Sequence, residues 1–416
     1  MLGWSCCGGW LIRAGCRGCR GRWPGERLLV HDRGRVLADL ACAIADGSEV
    51  ISDFRVLADQ KELFGLVASV STTWRTLSDI ATGGPETLGR ITVAVAEARC
   101  RAWAAAGARH GGLPGVRIAD KVLEGVTCIR LDATVTAAHS EKELAEPNFK
   151  GFGHHPLLSY YDNTGEPLAG MMRRGGAGSN TVADHLTVPE NSIAALLPEH
   201  RRQLMVSCDG AGASHGLIAR LDALAARPGY QLTYSVGWDL GARERAAISR
   251  VPEGAWQVAI DHRGAVRERR AEDACQDFRC AHERCWHEQA HVTELTGLLR
   301  EDPAGNQLAG WPPSMRVFAR RERPHPGAQL SLFAINSAWL AAALIAATLL
   351  ALLRLLALEG ELARAEPKTL RYKILHAAAR LTHSGRRRRL KISRTWSWAT
   401  AITTAWTRLN ALPQAP

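Results

Sequence analysis

Three observations in the sequence predict an α/β chain. Helical periodicity runs from Val30 to about Ala105. Five short apolar strands with two interleaved helices follow between about Gly115 and Trp238, and helical patterning returns after residue 333. Between the last two lies a stretch, 239–333, whose short apolar runs suggest a β-rich insertion.

The chain has 416 residues, enough for two or three domains and a substantial core. Residues 1–26 hold four of the eleven Cys and three of the thirteen Trp, mixed with Gly and Arg without period. Such a stretch builds neither helix nor strand, so it is expected to be disordered or mis-framed, and it is a poor signal peptide. Residues 27–114 form a helical region: VLADLACAIADG, then DFRVLADQKELFGLV with Asp53 as a cap, then STTWRTLSDIA with Ser71 as a cap. Two short helices joined by a turn, the second opening with Thr72, Thr73, Trp74 and Arg75, have the outline of a helix-turn-helix. Thr72, Thr73 and Arg75 are therefore candidate DNA contacts, set against the commoner reading of helices that simply pack.

Within 115–238 the strands are VTCIRLDATV, PLLSYYDN, PLAGMMRR, QLMVSCDG and YQLTYSVGW. SNTVADHLTVPENSIAALLPEHRR is helical in part, and SHGLIARLDALAARPG is a helix. The order β-β-β-α-β-α-β is that of a ribonuclease H-like core. AWQVAID, HVTELTG and MRVFARRE are short strands of the insertion. Residues 334–416 read as a helical C-terminal region: an apolar run, then ELARAEPKTLRYKILHAAARL, then a last amphipathic stretch ending in Leu412.

The net charge is +11, and only seven of the 52 basic residues are Lys. Arg matches phosphate in a bidentate fashion, so the balance favours a polyanionic partner, though a GC-rich genome inflates Arg as well. The odd number and scatter of Cys argue against a disulfide framework and for a reducing cytoplasm.

Asp132 lies in an otherwise apolar strand and Asp209 ends another. Buried carboxylates need a partner, a proton or a cation. At the ends of neighbouring strands they would suit Mg²⁺ or Mn²⁺, and two such ions clamp the oxygens of a phosphodiester exchange; singly, each is an ordinary turn residue. Arg173 and Arg174 precede GGAGSN, a glycine-rich helix start of the kind that cradles phosphate, although it does not match a P-loop. His154 and His155 are placed to touch substrate or to form a surface loop. Cys275, Cys280, His282 and Cys285, with His287 and His291 beyond, have ligand types that suit a structural Zn²⁺ in a spacing unlike a standard finger. Arg386, Arg387, Arg388 and Arg389, with Lys391, Trp396 and Trp398 behind them, suit a phosphate backbone or a plain solvated face.

The stretch from LDATVTAAHSEKELAEPNFKGFGHHP to GGAGSNTVADH resembles the catalytic domain of bacterial insertion-sequence DDE transposases, most of all the actinobacterial insertion sequence 1380 family. The likeness continues through SCDGAGASH, LTYSVGW, AHVTELTG, GWPPSMRVFARRERPHPGAQLSLF and LARAEPKTLRY, from about Leu29 to the end. It implies an N-terminal DNA-binding region, a ribonuclease H-like catalytic domain with a β insertion, and metal-dependent DNA cleavage and strand transfer in the bacterial cytoplasm. The implied partners are the element's terminal inverted repeats and target DNA, with a homodimer on DNA as the expected state. Asp132 matches the first acid and Asp209 the second.

The third acid is the departure. In the family, more β structure and a helix carrying the catalytic Glu follow the strand ending near LSLF. Here Phe333 runs straight into Ala334, which points to a deletion at 333/334, and Glu322 does not match the missing position. No charged side chain occurs from Pro326 to Leu353, a length that would span a bilayer. Abundant Ala, and the family's placement of its counterpart in the core, favour a buried helix instead, with no membrane partner.

Overall fold

The computed structural model describes residues 31–118, 121–138, 142–148, 151–178, 181–208, 214–237, 240–260, 291–321, 334–384 and 387–412. Three long helices open the described chain: α1 Arg33–Asp46, α2 Val70–Thr82 and α3 Gly84–His110. Then come β1 Val116–Ile118, β2 Lys121–Leu123, β3 Thr127–Ala133, β4 Thr136–Ala137, β5 Glu146–Asn148, β6 Gly151–His154, β7 Leu157–Tyr161 and β8 Glu166–Met171. Next are α4 Val182–Ala194, β9 Gln203–Cys208, α5 His215–Ala225, β10 Gln231–Val236, α6 Ala242–Ser249, β11 Gln257–Val258, β12 His291–Glu294, α7 Thr296–Arg300 and β13 Phe318–Arg321. The C-terminal part holds α8 Ala334–Ala357, β14 Ala379–Ser384, β15 Arg387–Ile392 and α9 Ala399–Asn410. Parallel and antiparallel strands both occur, so the chain is α/β in the broad sense predicted.

The chain divides into two compact units, one of Met1–Pro114, Ile129–Arg201 and Gln329–Pro416, the other of Gly115–Cys128 and Arg202–Ala328. In the first, β3, β7 and β8 form an antiparallel meander with Asp132 opposite Leu158 and Leu158 opposite Gly170. Strands β4, β6 and β5 make a small antiparallel sheet that the pattern did not announce. Helix α8 packs against α1, α2, α3, β8 and α9. It is long and apolar enough to cross a membrane, yet Ala338, Ala342, Ala346, Leu349, Leu352 and Leu356 are buried inside the unit. Small side chains let neighbouring backbones approach, and it is this packing, not the apolarity of the helix, that separates a core helix from a span.

The helical start of this unit is capped differently from expectation. Asp32 caps α1 by accepting from the Arg35 N–H, and Gly47 ends it with φ 118°. Ser69, not Ser71, caps α2 by accepting from the Thr72 N–H at 3.2 Å. The predicted helix over DFRVLADQKELFGLV is broken into a 3₁₀ turn, Ile51–Phe54, and single turns at Arg55–Ala58 and Lys61–Phe64. Gln60, at φ −109° and ψ 44°, leaves the helical region, and Gly65 with φ 73° stops the last turn. Asp53 caps from within the 3₁₀ turn, as its third residue, and not from the position before a long helix: its Oδ2 accepts from the Glu49 and Val50 N–H groups.

The C-terminal region is not wholly helical as predicted. RRRLKI, Arg387–Ile392, forms the second strand of an antiparallel hairpin, β14 with β15, in which Leu381 faces Leu390 and Ala379 faces Ile392. Its alternation of apolar and polar residues has period two, which suits a strand better than a helix.

In the second unit, β1 and β2 form a hairpin, and β9 and β10 run parallel with Cys208 beside Val236. Helix α5 packs on β10. Strands β11, β12 and β13 pair antiparallel in a three-stranded sheet, and the same unit holds a core of Ala247, Leu295, Leu299, Leu308, Val317 and Ala319.

Candidate active site

Alternation along β3 sets the geometry around Asp132. Ile129 and Leu131 are buried on one side of the strand, while Arg130 and Asp132 share the other. Arg130 is exposed, pairs with Asp162 at 2.9 Å and lies 5.9 Å from the Tyr160 ring centroid. Asp132 is half-buried. The Tyr160 hydroxyl is held above the usual phenol range, first by burial and then by the charge of Asp132, with Arg130 opposing both.

Helix α8 lies on this same side of the meander. A Cβ placed on Gly170 would stand 2.9 Å from Leu158 Cδ2 and 2.9 Å from Leu344 Cδ1, so Leu344 sits against the face that Leu158 shares with Asp132. Over Ala334–Ala357, α8 carries no Asp and no Glu. Helix α8, which packs on β8 on the side that Asp132 faces, therefore supplies no carboxylate. Asp209 follows the last residue of β9 and lies outside the described residues, as do Glu322 and the Cys275, Cys280, His282, Cys285 cluster. Among the described residues, no three His, Cys, Asp or Glu side chains come together to hold a metal ion. Asp132 alone does not make a metal site.

The glycine-rich turn is built otherwise than the sequence suggests. Arg173 is buried and serves the fold: Nε donates to the His155 carbonyl at 2.8 Å, and Nη1 to the Gly178 carbonyl at 3.1 Å and Asp184 at 3.3 Å. Burial lowers its pKa, with Asp184 opposing that shift. The place expected for a phosphate is taken by the chain's own carboxylate. Glu146 Oε2 accepts from the Gly176 N–H at 2.9 Å, and its Oε1 pairs with the exposed Arg174 at 2.7 Å. His154 and His155 are buried, neither on a surface loop nor open to substrate. The ring of His154 meets the Glu143 carbonyl at 3.0 Å and that of His155 the Ala177 carbonyl at 3.0 Å.

Of the helix-turn-helix candidates, Thr73 points into the core, and its hydroxyl donates to the Ser69 carbonyl at 3.1 Å. Thr72 is partly exposed, while Trp74 and Arg75 face outward. Arg389 is exposed on β15; Arg387 and Arg388 lie on the same strand, and Arg386 is outside the described residues. Sequence reasoning missed Arg380, which the hairpin register sets directly opposite Lys391. The signal was the alternation in ARLTHS, hidden beside a run of Arg that reads as a solvated face.

The family model for the transposase DDE domain, group 1, matches the chain in two stretches, residues 17–337 and 330–414. The chain belongs to the DDE transposase family. Comparison with curated proteins and with solved structures gives no match.

Proposed function

We propose that this chain is an insertion-sequence transposase by descent, of the insertion sequence 1380 type found in actinobacteria. On this reading it binds its element's terminal repeats in the bacterial cytoplasm as a homodimer and has largely lost the ability to cut them. The family's reaction is metal-dependent phosphoryl transfer between DNA strands. The chain order of three antiparallel strands, a helix, a strand, a helix and a parallel strand supports a ribonuclease H-like core. On this reading Asp132 and Asp209 match in sequence the family's first two acids, which would hold Mg²⁺ or Mn²⁺. Thr72, Arg75, Arg174 and the Arg386–Arg389 run are the proposed DNA contacts.

The observation that supports the impairment is α8 itself: it packs on β8 on the side that Asp132 faces and brings no acid. The two matched stretches meet over residues 330–337, which supports a seam at 333/334. A pair of carboxylates binds at least one of two metals weakly or off geometry. The same observation favours a second reading, a DNA-binding remnant that occupies the element ends without cutting.

The test is a cleavage assay on labelled DNA from the repeats flanking the gene, with Mn²⁺ and an Asp132→Asn control. Binding with little or no cutting is the expected result, and complete absence of Asp132-dependent nicks selects the remnant. Efficient cutting that depends on Asp132 would show that another residue supplies the third ligand and would overturn the impairment.

A further inference from the structure

The β14–β15 hairpin carries a basic face beside an aromatic cluster. Arg380 stands directly across from Lys391, and Arg389 across from Thr382 on the same face. All three cationic side chains are exposed, and among the described residues none has an acidic partner. Like charges directly opposite in a ladder are destabilising unless an anion comes between them. Tyr372 and Lys373 precede the hairpin, and Trp396 and Trp398 follow it. The three rings meet edge to face, with centroids 5.8 Å apart for Tyr372 and Trp396, 6.1 Å for Tyr372 and Trp398 and 5.3 Å for the two Trp. Trp396 Nε1 donates to the Lys373 carbonyl at 3.0 Å, and Lys373 Nζ lies 5.0 Å from the Trp398 centroid. Tyr372 is 62% exposed, although it belongs to an aromatic cluster. Each edge-to-face contact covers one side of one ring of the pair, and Lys373 stands over a face of Trp398, but the exposure of Tyr372 leaves ring surface open, and aromatic faces stack nucleobases whatever their identity.

We infer that this surface binds DNA carrying an unpaired base. Arg380, Arg389 and Lys391 hold phosphates, and Tyr372 with the Trp pair takes up the base that has left the duplex. The inference rests on the DNA-binding reading above and adds to it a preference for frayed or single-stranded ends.

The test uses the full chain and two probes from the flanking repeats, one fully paired and one with an unpaired three-nucleotide 3′ tail, read by fluorescence anisotropy. The tail is expected to tighten binding about tenfold. Tyr372→Ala removes most of that gain and moves the paired probe far less, while Tyr372→Phe retains it. Arg380→Ala and Lys391→Ala weaken both probes and each lower the salt slope by about one. Equal affinity for the two probes, or a full tail preference in Tyr372→Ala, would overturn the inference and leave duplex binding standing. Failure to bind either probe at low salt would overturn the DNA-binding reading, and this inference with it.

Discussion

Arg99 and Glu166, 67 residues apart in sequence, form a buried ion pair with Nε 3.2 Å from Oε2. The other carboxylate oxygen accepts from the Trp103 indole at 2.6 Å and the Thr164 hydroxyl at 2.9 Å, and Arg99 also donates to the Pro167 carbonyl. This network ties α3 to the start of β8. Removing one partner leaves the other charge buried and uncompensated, so Glu166→Ala is expected to destabilise by about 3–5 kcal/mol. The double substitution Arg99→Met with Glu166→Leu should recover much of that loss. Urea midpoints of the three proteins measure it; equal midpoints for wild type and Glu166→Ala would show that the pair does not hold the fold.

Two glycines test the backbone packing in opposite directions. A Cβ on Gly153 would meet the Thr136 carbonyl and the Ala137 backbone well inside van der Waals distance, so β6 could not keep its place beside β4. Gly153→Ala is expected to destabilise by roughly 3 kcal/mol or more, above the usual overpacking range because backbone cannot rotate away. Gly89 is exposed within α3 and has nothing within 4 Å of its Cβ position. Gly89→Ala should stabilise by about 0.5–1 kcal/mol. Thermal melts of the two variants should therefore move in opposite directions.

Helix α8 separates a core helix from a membrane span. Ala342 is fully buried in the first unit, so Ala342→Leu should overpack it by about 1–3 kcal/mol. The wild-type chain should be recovered in the soluble fraction without detergent. Retention in the membrane pellet after alkaline washing, with Ala342→Leu harmless, would mean that the helix faces lipid.

Local signals in the sequence reached the strands and the long helices. A short, otherwise apolar run placed β3 with Asp132 in it, and unbroken apolarity placed α8. What the sequence hid were contacts between distant residues and choices between neighbours. Glu146 reaches Gly176 across 30 positions, and no local pattern announces that a carboxylate will fill the expected phosphate cradle. Ser69 and Ser71 are equally good caps by composition, and only the path of the chain into α2 decides between them. The hairpin at 379–392 was masked because a run of Arg looks the same on a helix, a strand or a loop.

Asp39 predicts a pH dependence. It is buried on α1, and burial lifts its carboxyl from 3.8 to about 6 against the pull of Arg35, whose Nε lies 2.7 and 2.8 Å from its two oxygens. The folded chain then holds a proton that the unfolded chain gives up between about pH 4 and 6. Stability therefore falls as pH rises through that window, by up to ~3 kcal/mol, and the loss is complete above it. Asp39→Asn should be more stable than wild type at pH 7.5 and equal to it at pH 4, by denaturant titration at both values. A wild type that is the more stable at pH 7.5 would mean that the Arg35 pair outweighs the burial of the charge.

Glu146 gives a prediction about DNA itself. Its carboxylate occupies both the Gly176 amide and the Arg174 guanidinium, the two groups that would otherwise meet a phosphate. An anion already bound there screens the turn from a second one. Glu146→Gln removes the negative charge and releases Arg174 while keeping an oxygen to accept from the Gly176 N–H. If the turn faces DNA, one freed cation adds about 0.9 to the salt slope and roughly tenfold to the affinity near 0.1 M salt. Anisotropy titrations of duplex DNA at several salt concentrations would show both changes together. A Glu146→Gln chain with unchanged affinity and slope would place the turn away from the DNA and leave Arg75 and the β14–β15 hairpin to carry the contact.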